Sequence, residues 1–490
     1  MTTPAGHPVI AIVGGGIAGL AAAFFLSGSD AEVIVLEGSR RLGGKLAVSE
    51  IAGIAVDEGA EALLARRPEG TGLIGAVGLD RQLVQPGTTA AAIWTRGQLR
   101  PLPRRQFLGV PADLDELGRS EILSAAGLAR ARAEADLPAT ARTGDVSVAG
   151  YVGARFGQEL VDRLVDPLLG GIYAGRSDQL SFEATMPGLA NASRSHRTLA
   201  GAARSLLPVP APLPAPANGA GAGPSAAAGP APSTAPVFTT LAGGLGTLPA
   251  AVAARSGAAV RTGAMTRELA RTPGGWRLTI GAASAPEQLA ADAVILALPA
   301  SPASRLLAAT SPATAAALGE IGYASMAIVT LAYPRAAFPS LPERSGYLVP
   351  AVDSRAVKAV TFSTVKWPHL RAAGPPVVVV RCSVGRVGEE ALLQRDDGEL
   401  AAIAGAELAA ATGVRGAPID TRVSRWGGGL PQYTVCHLER VARIRAGVGR
   451  QPGLAVCGAA YDGIGIPACI ASARLASAQI LAYLDSRRDS

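Results

Sequence analysis

The sequence predicts an α/β fold built on a Rossmann-like dinucleotide-binding domain, carrying an α+β domain and a helical subdomain. Three observations lead there. A strand–turn–helix–strand pattern lies near the N-terminus, a second glycine-rich turn at 458–465 precedes the last helix, and between them the hydrophobic period changes from helical to strand-like. The 490 residues suffice for several packed units, and a composition 49% hydrophobic and 17% charged belongs to a globular chain.

The elements follow in order. Val9–Val13 is a short apolar run of the kind that forms a buried strand; 14–19 is a turn, Leu20–Leu26 a helix, and Glu32–Leu36 a second strand ending at Glu37. Residues 9–26 are uncharged throughout, but the glycine triplet interrupts any lipid-facing helix and no basic segment precedes it. A soluble, cytoplasmic chain is expected. Residues 111–205 read as helical. Pro111-Ala112-Asp113 caps a helix whose first turn carries Asp115 and Glu116, with Arg130 and Arg132 near the far end. Leu160, Val161, Leu164, Val165 and Leu168 recur at helical spacing, and Pro167 is expected to break that helix. Residues 208–236 are low-complexity Pro/Ala/Gly, read as a surface insertion or linker. Strands are then expected at Val260–Leu269, Trp276–Ile280, Ala293–Leu298, Met326–Tyr333, Val377–Val380 and 453–457, and a closing helix at 467–484.

Charge and composition exclude several roles. A net charge of +7 either steers anionic partners or serves solubility, and no Lys/Arg run with interleaved aromatics marks a nucleic-acid surface. Cys382, Cys436, Cys457 and Cys469 form no C-x-x-C pair and read as free thiols. His7, His196, His369 and His437 do not cluster, so no metal site is expected.

The chemistry is carried by glycines. In Gly14-Gly15-Gly16-Ile17-Ala18-Gly19 the first G-x-G-x-x-G glycine allows a tight turn, the second admits a pyrophosphate to the backbone, and the third lets helix pack on strand. Glu37 follows at the end of the second strand, where a carboxylate accepts hydrogen bonds from a ribose. Arg41-Leu42-Gly43-Gly44-Lys45 lets the chain pass close to a second part of the dinucleotide, which favours FAD over NAD. Gly458 to Pro467 opens the last helix, whose N-terminus suits the negative charge that builds on a reduced isoalloxazine. The two distant glycine turns imply one FAD-binding domain assembled from separated segments.

Longer stretches are more specific. Asp57-Glu58-Gly59-Ala60-Glu61-Ala62, Leu99-Arg100-Pro101-Leu102-Pro103 with Gly109-Val110-Pro111, the run Asp166–Gly175, Lys366-Trp367-Pro368, Trp426 and Pro431-Gln432-Tyr433 resemble the flavin-dependent porphyrinogen oxidases of the amine-oxidase-like FAD superfamily. They are most like the coproporphyrinogen III oxidases of Gram-positive bacteria. The 166–175 run is the most telling, because generic amine oxidases lack it.

The resemblance implies FAD-binding segments at 1–75, 237–300 and 441–490, substrate-domain segments at 76–110 and 301–440, a helical subdomain at 111–205 and a linker at 206–236. It implies FAD contacts at 14–19, Glu37, Gly38, Lys45, Gly59, Ala60, Glu61, Ala62, Met265, Trp426, Ile464, Gly465 and Ile466, to which the glycine turns add Gly43, Gly44 and Gly458. Ala91 stands where mitochondrial-type relatives place an arginine. Arg67, and after it Arg66, are offered as a clamp for a substrate carboxylate or as a solvated surface pair. Ile172 and Tyr173 line the pocket or pack in the core. No side-chain acid or base is implied. The expected reaction is an oxygen-linked oxidation of a porphyrinogen, coproporphyrinogen III ahead of protoporphyrinogen IX, with a flavin amine oxidase or desaturase as the more distant alternative. Partners would be the porphyrinogen and dioxygen, transient contacts with other haem-pathway enzymes, and a membrane at most peripherally.

Overall fold

In the computed structural model, which describes residues 7–140, 142–208, 237–372 and 376–488, five parallel strands drawn from distant parts of the chain form one sheet. Their spatial order is Ala259–Arg261, Glu32–Leu36, Val9–Val13, Ala293–Leu296 and Leu454–Val456. Four of them read as near-continuous apolar runs because both faces are covered. One face packs on the helices Ile17–Leu26, Leu248–Ser256 and Ile466–Arg488. The other packs on the antiparallel strands Thr266–Thr272, Gly275–Ala282 and Ala285–Ala291 and on three further helices, Ala300–Leu307, Pro312–Gly319 and His437–Gly449. The helix Ile466–Arg488 is long and apolar enough to cross a membrane by length and composition, but its apolar side is buried against Ile17–Leu26.

A second sheet has seven strands, in the order Asp420–Pro431, Tyr323–Pro334, Val377–Val384, Val357–Phe362, Gly346–Leu348, Ala91–Thr95 and Gln98–Pro101. Alternation along Val377–Val384 sends Val378, Val380, Cys382 and Val384 into a core shared with Leu400, Ala404 and Leu408 of the helix Asp397–Thr412. It sends Arg381 and Ser383 to the opposite face. The helices between Leu114 and Ser205 gather around a separate apolar cluster that includes Leu117, Val152, Phe156, Leu169 and Phe182.

Three expectations are corrected. The run 260–269 is not one strand: Ala259–Arg261 joins the parallel sheet, the chain crosses over at Gly263 (φ +67°), and Thr266–Thr272 begins the antiparallel sheet. The crossover is fixed by Gly263 N–H donating to Ser39 O at 2.8 Å and Ala264 N–H to Glu37 O at 2.9 Å, which leaves Met265 between strands. Pro167 does not end its helix. It sits in the first turn of Asp166–Tyr173, and one wider π turn, Val161–Val165, leads into it without needing the missing N–H. The first and last helices begin at Ile17 and Ile466 and the latter runs to Arg488, each longer than expected. Of the low-complexity stretch, residues 209–236 lie outside the described residues.

Asp113 caps Leu114–Ser120 as expected, accepting from the amides of Asp115 and Glu116 at 3.0 and 2.9 Å. The helical cluster also encloses an ion pair, Arg155 with Glu134, whose side chains are 2% and 1% exposed. Arg155 donates further to the carbonyls of Pro138 and Arg197, and Glu134 accepts the Leu199 amide at 2.6 Å. A buried pair is costly to break on one side, because the survivor keeps its charge without a partner. Arg155→Leu is expected to cost about 3–5 kcal/mol, read as a lower denaturation midpoint. A loss below about 1 kcal/mol would show that Glu134 finds water or another cation.

Candidate functional site

The first glycine turn is held by backbone contacts that leave no room for side chains. A Cβ on Gly14 (φ +112°) would lie 2.5 Å from Ala297 O, and one on Gly19 would lie 1.9 Å from Gly14 O. At Gly16 a Cβ would meet nothing within 4 Å, so the turn opens there onto free space. Gly16 is also the N-cap of Ile17–Leu26 and offers no side chain to the first helical amides. Glu37 is locked at its strand end, Oε2 accepting the Gly15 amide at 2.8 Å and Oε1 the Ser39 amide at 2.7 Å.

The second turn closes on the first. Gly43 N–H donates to Gly15 O at 2.8 Å, and a Cβ on Gly44 (φ +58°) would lie 3.3 Å from Gly16 Cα. Arg41 clasps the turn through the carbonyls of Leu42, Gly44 and Leu46. The thioether of Met265 covers Gly38, 2.7 Å from where a Cβ would stand. Across the molecule, Ala18 lies 3.8 Å from the Cβ position of Gly458, so the N-terminal and C-terminal glycine turns are neighbours. Among the described residues the amides of Ile464, Gly465 and Ile466 have no acceptor. Open glycine turns beside uncapped amides suit a pyrophosphate and an electron-rich ring edge, so the residues present fit a dinucleotide.

The turn at Gly59–Ala62 is braced against both halves of the fold. A Cβ on Gly59 would lie 2.1 Å from Lys45 O and 3.2 Å from the Trp426 ring, and the Trp426 indole N–H donates to Glu58 O at 3.0 Å. Glu61 Oε1 accepts Lys366 Nζ at 2.6 Å, its other oxygen accepts Arg381, and Arg381 also donates to Gly59 O at 2.6 Å. Burial works to raise the Glu61 carboxyl, but the two adjacent cations outweigh it and hold the pKa at about 2. The carboxylate of Glu61 is thus engaged by protein, which leaves Ala60, exposed at the tip, and the backbone as the free parts of this turn. Burial lowers the pKa of the Lys45 ammonium.

The residues expected on the substrate side separate. Ile172 is 38% exposed at the end of Asp166–Tyr173, near the Leu348 side of the seven-stranded sheet. Tyr173 is 7% exposed and packs on Tyr433, ring centroids 5.6 Å apart. Arg66 and Arg67 are both exposed where Pro68–Ala76 begins, and Arg67 pairs with Glu69 at 3.1 Å. An exposed pair of this kind is worth little, so Arg67 can exchange partners cheaply. Gly70 of that helix abuts Pro467, so the Arg66–Arg67 corner stands beside the closing helix.

Sequence reasoning missed Arg381 as the second cation on Glu61, although one arginine inside VVVVRCSV is a visible signal. It also gave Asp57 no role of its own. Asp57 accepts the amides of Leu245 and Gly246 at 3.1 and 3.0 Å, tying two distant loops. With Glu61, Arg381, Ser363, Trp367 and His369 it lines a small chamber with room for about one water molecule. Ser363 Oγ, Trp367 Nε1, His369 Nδ1 and Arg381 Nε have no hydrogen-bond partner among the described residues.

Residues 17–481 match the family described as flavin containing amine oxidoreductase. The chain is 37% identical over 482 residues to a coproporphyrinogen III oxidase of Mycobacterium tuberculosis strain H37Rv, covering 97% of this chain and 98% of that one. It is 29% identical to a coproporphyrinogen III oxidase of Bacillus subtilis, covering 98% and 99%. A crystal structure from Exiguobacterium sp. 255-15, provisionally named a protoporphyrinogen oxidase, superposes with a TM-score of 0.83 at 30% identity, over 98% of this chain and 99% of that one.

Asp57 gives the region a pH signature. Burial raises its carboxyl from the usual 3.8 to about 6, against the pull of the two amides. The native state therefore holds this proton more readily than the unfolded chain; the contribution is complete below pH about 4 and is lost as pH rises through about 6. Asp57→Asn removes that loss, so its stability relative to wild type is expected to rise between pH 4 and 7 by on the order of 2–3 kcal/mol. Thermal midpoints of both proteins across this range check it, and parallel curves would contradict it.

Proposed function

The chain belongs to the flavin-containing amine oxidoreductase family, and on that premise we propose that it oxidises coproporphyrinogen III to coproporphyrin III using FAD. The observation that carries the substrate is the 37% identity, over nearly both whole chains, to a protein of that name. The site agrees in kind: an exposed isoleucine on the 166–173 helix and a pair of exposed arginines beside the closing helix suit a large apolar ring bearing carboxylates.

FAD, when bound, would supply the acceptor for one hydride per round, taken from a bridging carbon of the substrate, three in all. The protein's part is to hold and orient. The 14–19 and 43–44 turns hold the pyrophosphate, Glu37 the ribose, and the Met265–Gly38 contact flanks the adenine side. The Ile464–Ile466 amides, Trp426 and the Gly59–Ala62 turn would hold the flavin ring. Arg67 and Arg66 orient the substrate through its carboxylates, Ile172 packs on the macrocycle, and Tyr173 supports Ile172 from the core. No side chain is assigned as acid or base; each round removes one hydride and one N–H proton, and the proton leaves to solvent. Three rounds remove three hydrides and three N–H protons, and a shift of one hydrogen from the fourth bridging carbon to a ring nitrogen completes the porphyrin; three dioxygen molecules are the terminal acceptor and leave as three hydrogen peroxide. The reaction is assigned to the cytoplasm, with other haem-pathway enzymes as transient partners and any membrane contact peripheral.

The Exiguobacterium structure's provisional name favours one alternative, protoporphyrinogen IX, which carries two carboxylates fewer. Anaerobic mixing decides between them. With enzyme in more than threefold excess over coproporphyrinogen III, so that oxidised flavin supplies all six electrons' worth of acceptor, flavin bleaching and porphyrin fluorescence are expected to develop together. A strong preference for the dicarboxylate would overturn the assignment. Arg67→Ala is expected to raise KM for the tetracarboxylate about five- to tenfold with kcat within about twofold, as for loss of a contact equal in ground and transition states. An unchanged KM removes Arg67 from the site.

A further inference from the structure

The loop after the strand Asp420–Pro431 touches both sides of the proposed redox site. Tyr433 is 2% exposed, and its hydroxyl donates to Ala459 O at 2.7 Å while accepting the Gly463 amide at 2.8 Å. One side chain therefore occupies polar groups at both ends of the C-terminal glycine turn. The amides that follow directly, those of Ile464, Gly465 and Ile466, have no acceptor among the described residues. The ring is itself held, stacked on His437 at 3.8 Å and 15° and packed on Tyr173. Next to it, Gln432 Nε2 donates to Tyr173 O at 2.8 Å, at the C-terminus of the helix that carries Ile172. Burial keeps the phenol far above its usual range, so the hydroxyl retains its proton and can serve as donor and acceptor at once.

We infer that Tyr433 is a positioning residue of the redox site: its hydroxyl sets the orientation of the glycine turn that meets the flavin ring, and its ring couples that turn to the helix on the substrate side. The inference rests on the flavin reading above. Fixed dipoles beside a ring that gains negative charge set its reduction potential, and they act only while their orientation is fixed. Without the hydroxyl, Gly463 N–H and Ala459 C=O lose their shared partner and the turn gains freedom to rotate.

The test uses the holoenzyme. Tyr433→Phe keeps the ring and removes one oxygen. It is expected to bind FAD, to change the oxidised-to-reduced flavin ratio against a reference dye about tenfold, which is about 30 mV for a two-electron couple, and to speed hydrogen exchange in the 459–465 peptide about tenfold. Tyr347→Phe is the control, because Tyr347 is a buried tyrosine in the seven-stranded sheet whose hydroxyl has no hydrogen-bond partner among the described residues. It should leave potential and exchange unchanged. Should Tyr433→Phe fail to hold flavin, Gly463→Ala reports on the same turn, since Gly463 has φ +136° and an added Cβ would sit 2.8 Å from Ala468 Cβ. It too must shift the potential. An unshifted potential in whichever variant holds flavin, or equal shifts in Tyr433→Phe and Tyr347→Phe, overturns the inference. A wild-type protein that takes up no flavin would instead sink the reading on which it rests.

Discussion

A carboxylate held between two cations fixes how the halves of this molecule meet. Glu61 lies in the Gly59–Ala62 turn, Arg381 on the strand Val377–Val384 of the second sheet, and Lys366 on the short helix Ser363–Lys366 that follows that sheet's strand Val357–Phe362. The group is largely removed from water, so its attraction is not diluted by solvent, but neither is the cost of desolvation. Such a cluster is stable only when every member is present and hydrogen-bonded. Arg381 meets that condition through Gly59 O as well as Glu61. The surrounding contacts add to the same constraint: the Trp426 indole donates to Glu58 O, the Ala52 amide donates to Asp420, and the 245–246 amides donate to Asp57. The Gly59–Ala62 turn is thus determined from several directions, and its position limits where a ring system can lie.

The parts of this arrangement legible in the sequence were those where one residue type is required by backbone geometry. Gly14 and Gly19 cannot carry a Cβ, and Gly43 and Gly44 adopt positive φ, so a pattern of glycines survives as a readable mark. Glu37 was legible because it sits at a fixed distance from that mark. What escaped was set by tertiary context. The break between Arg261 and Thr266 depends on carbonyls of Glu37 and Ser39, more than two hundred residues away in the chain. The passage through Pro167 depends on a π turn that period alone does not announce. Arg381 looked like an interruption in a strand until Glu61 was brought opposite it.

The proposed substrate side is built differently from the flavin side. Few of its candidate residues are locked: Arg66 and Arg67 are exposed, and Ile172 stands partly in solvent. Tightly packed glycine turns alongside loosely held candidate side chains are consistent with a family whose fold is shared among oxidases of unlike substrates, since chemistry resides in the shared part and selection in the variable part.

The first sheet has a consequence for synthesis. Its middle strand precedes its edge at Leu454–Val456 and the helix from Ile466 by more than four hundred residues. Until they emerge, Ala293–Leu296 presents an unpaired apolar edge, and the helix Ile17–Leu26 lacks the partner that covers its flank. A chain of this kind keeps an aggregation-prone edge open until the segment after residue 454 is made, and its two glycine turns can meet only then, so the cofactor cradle is completed late in folding and does not nucleate it.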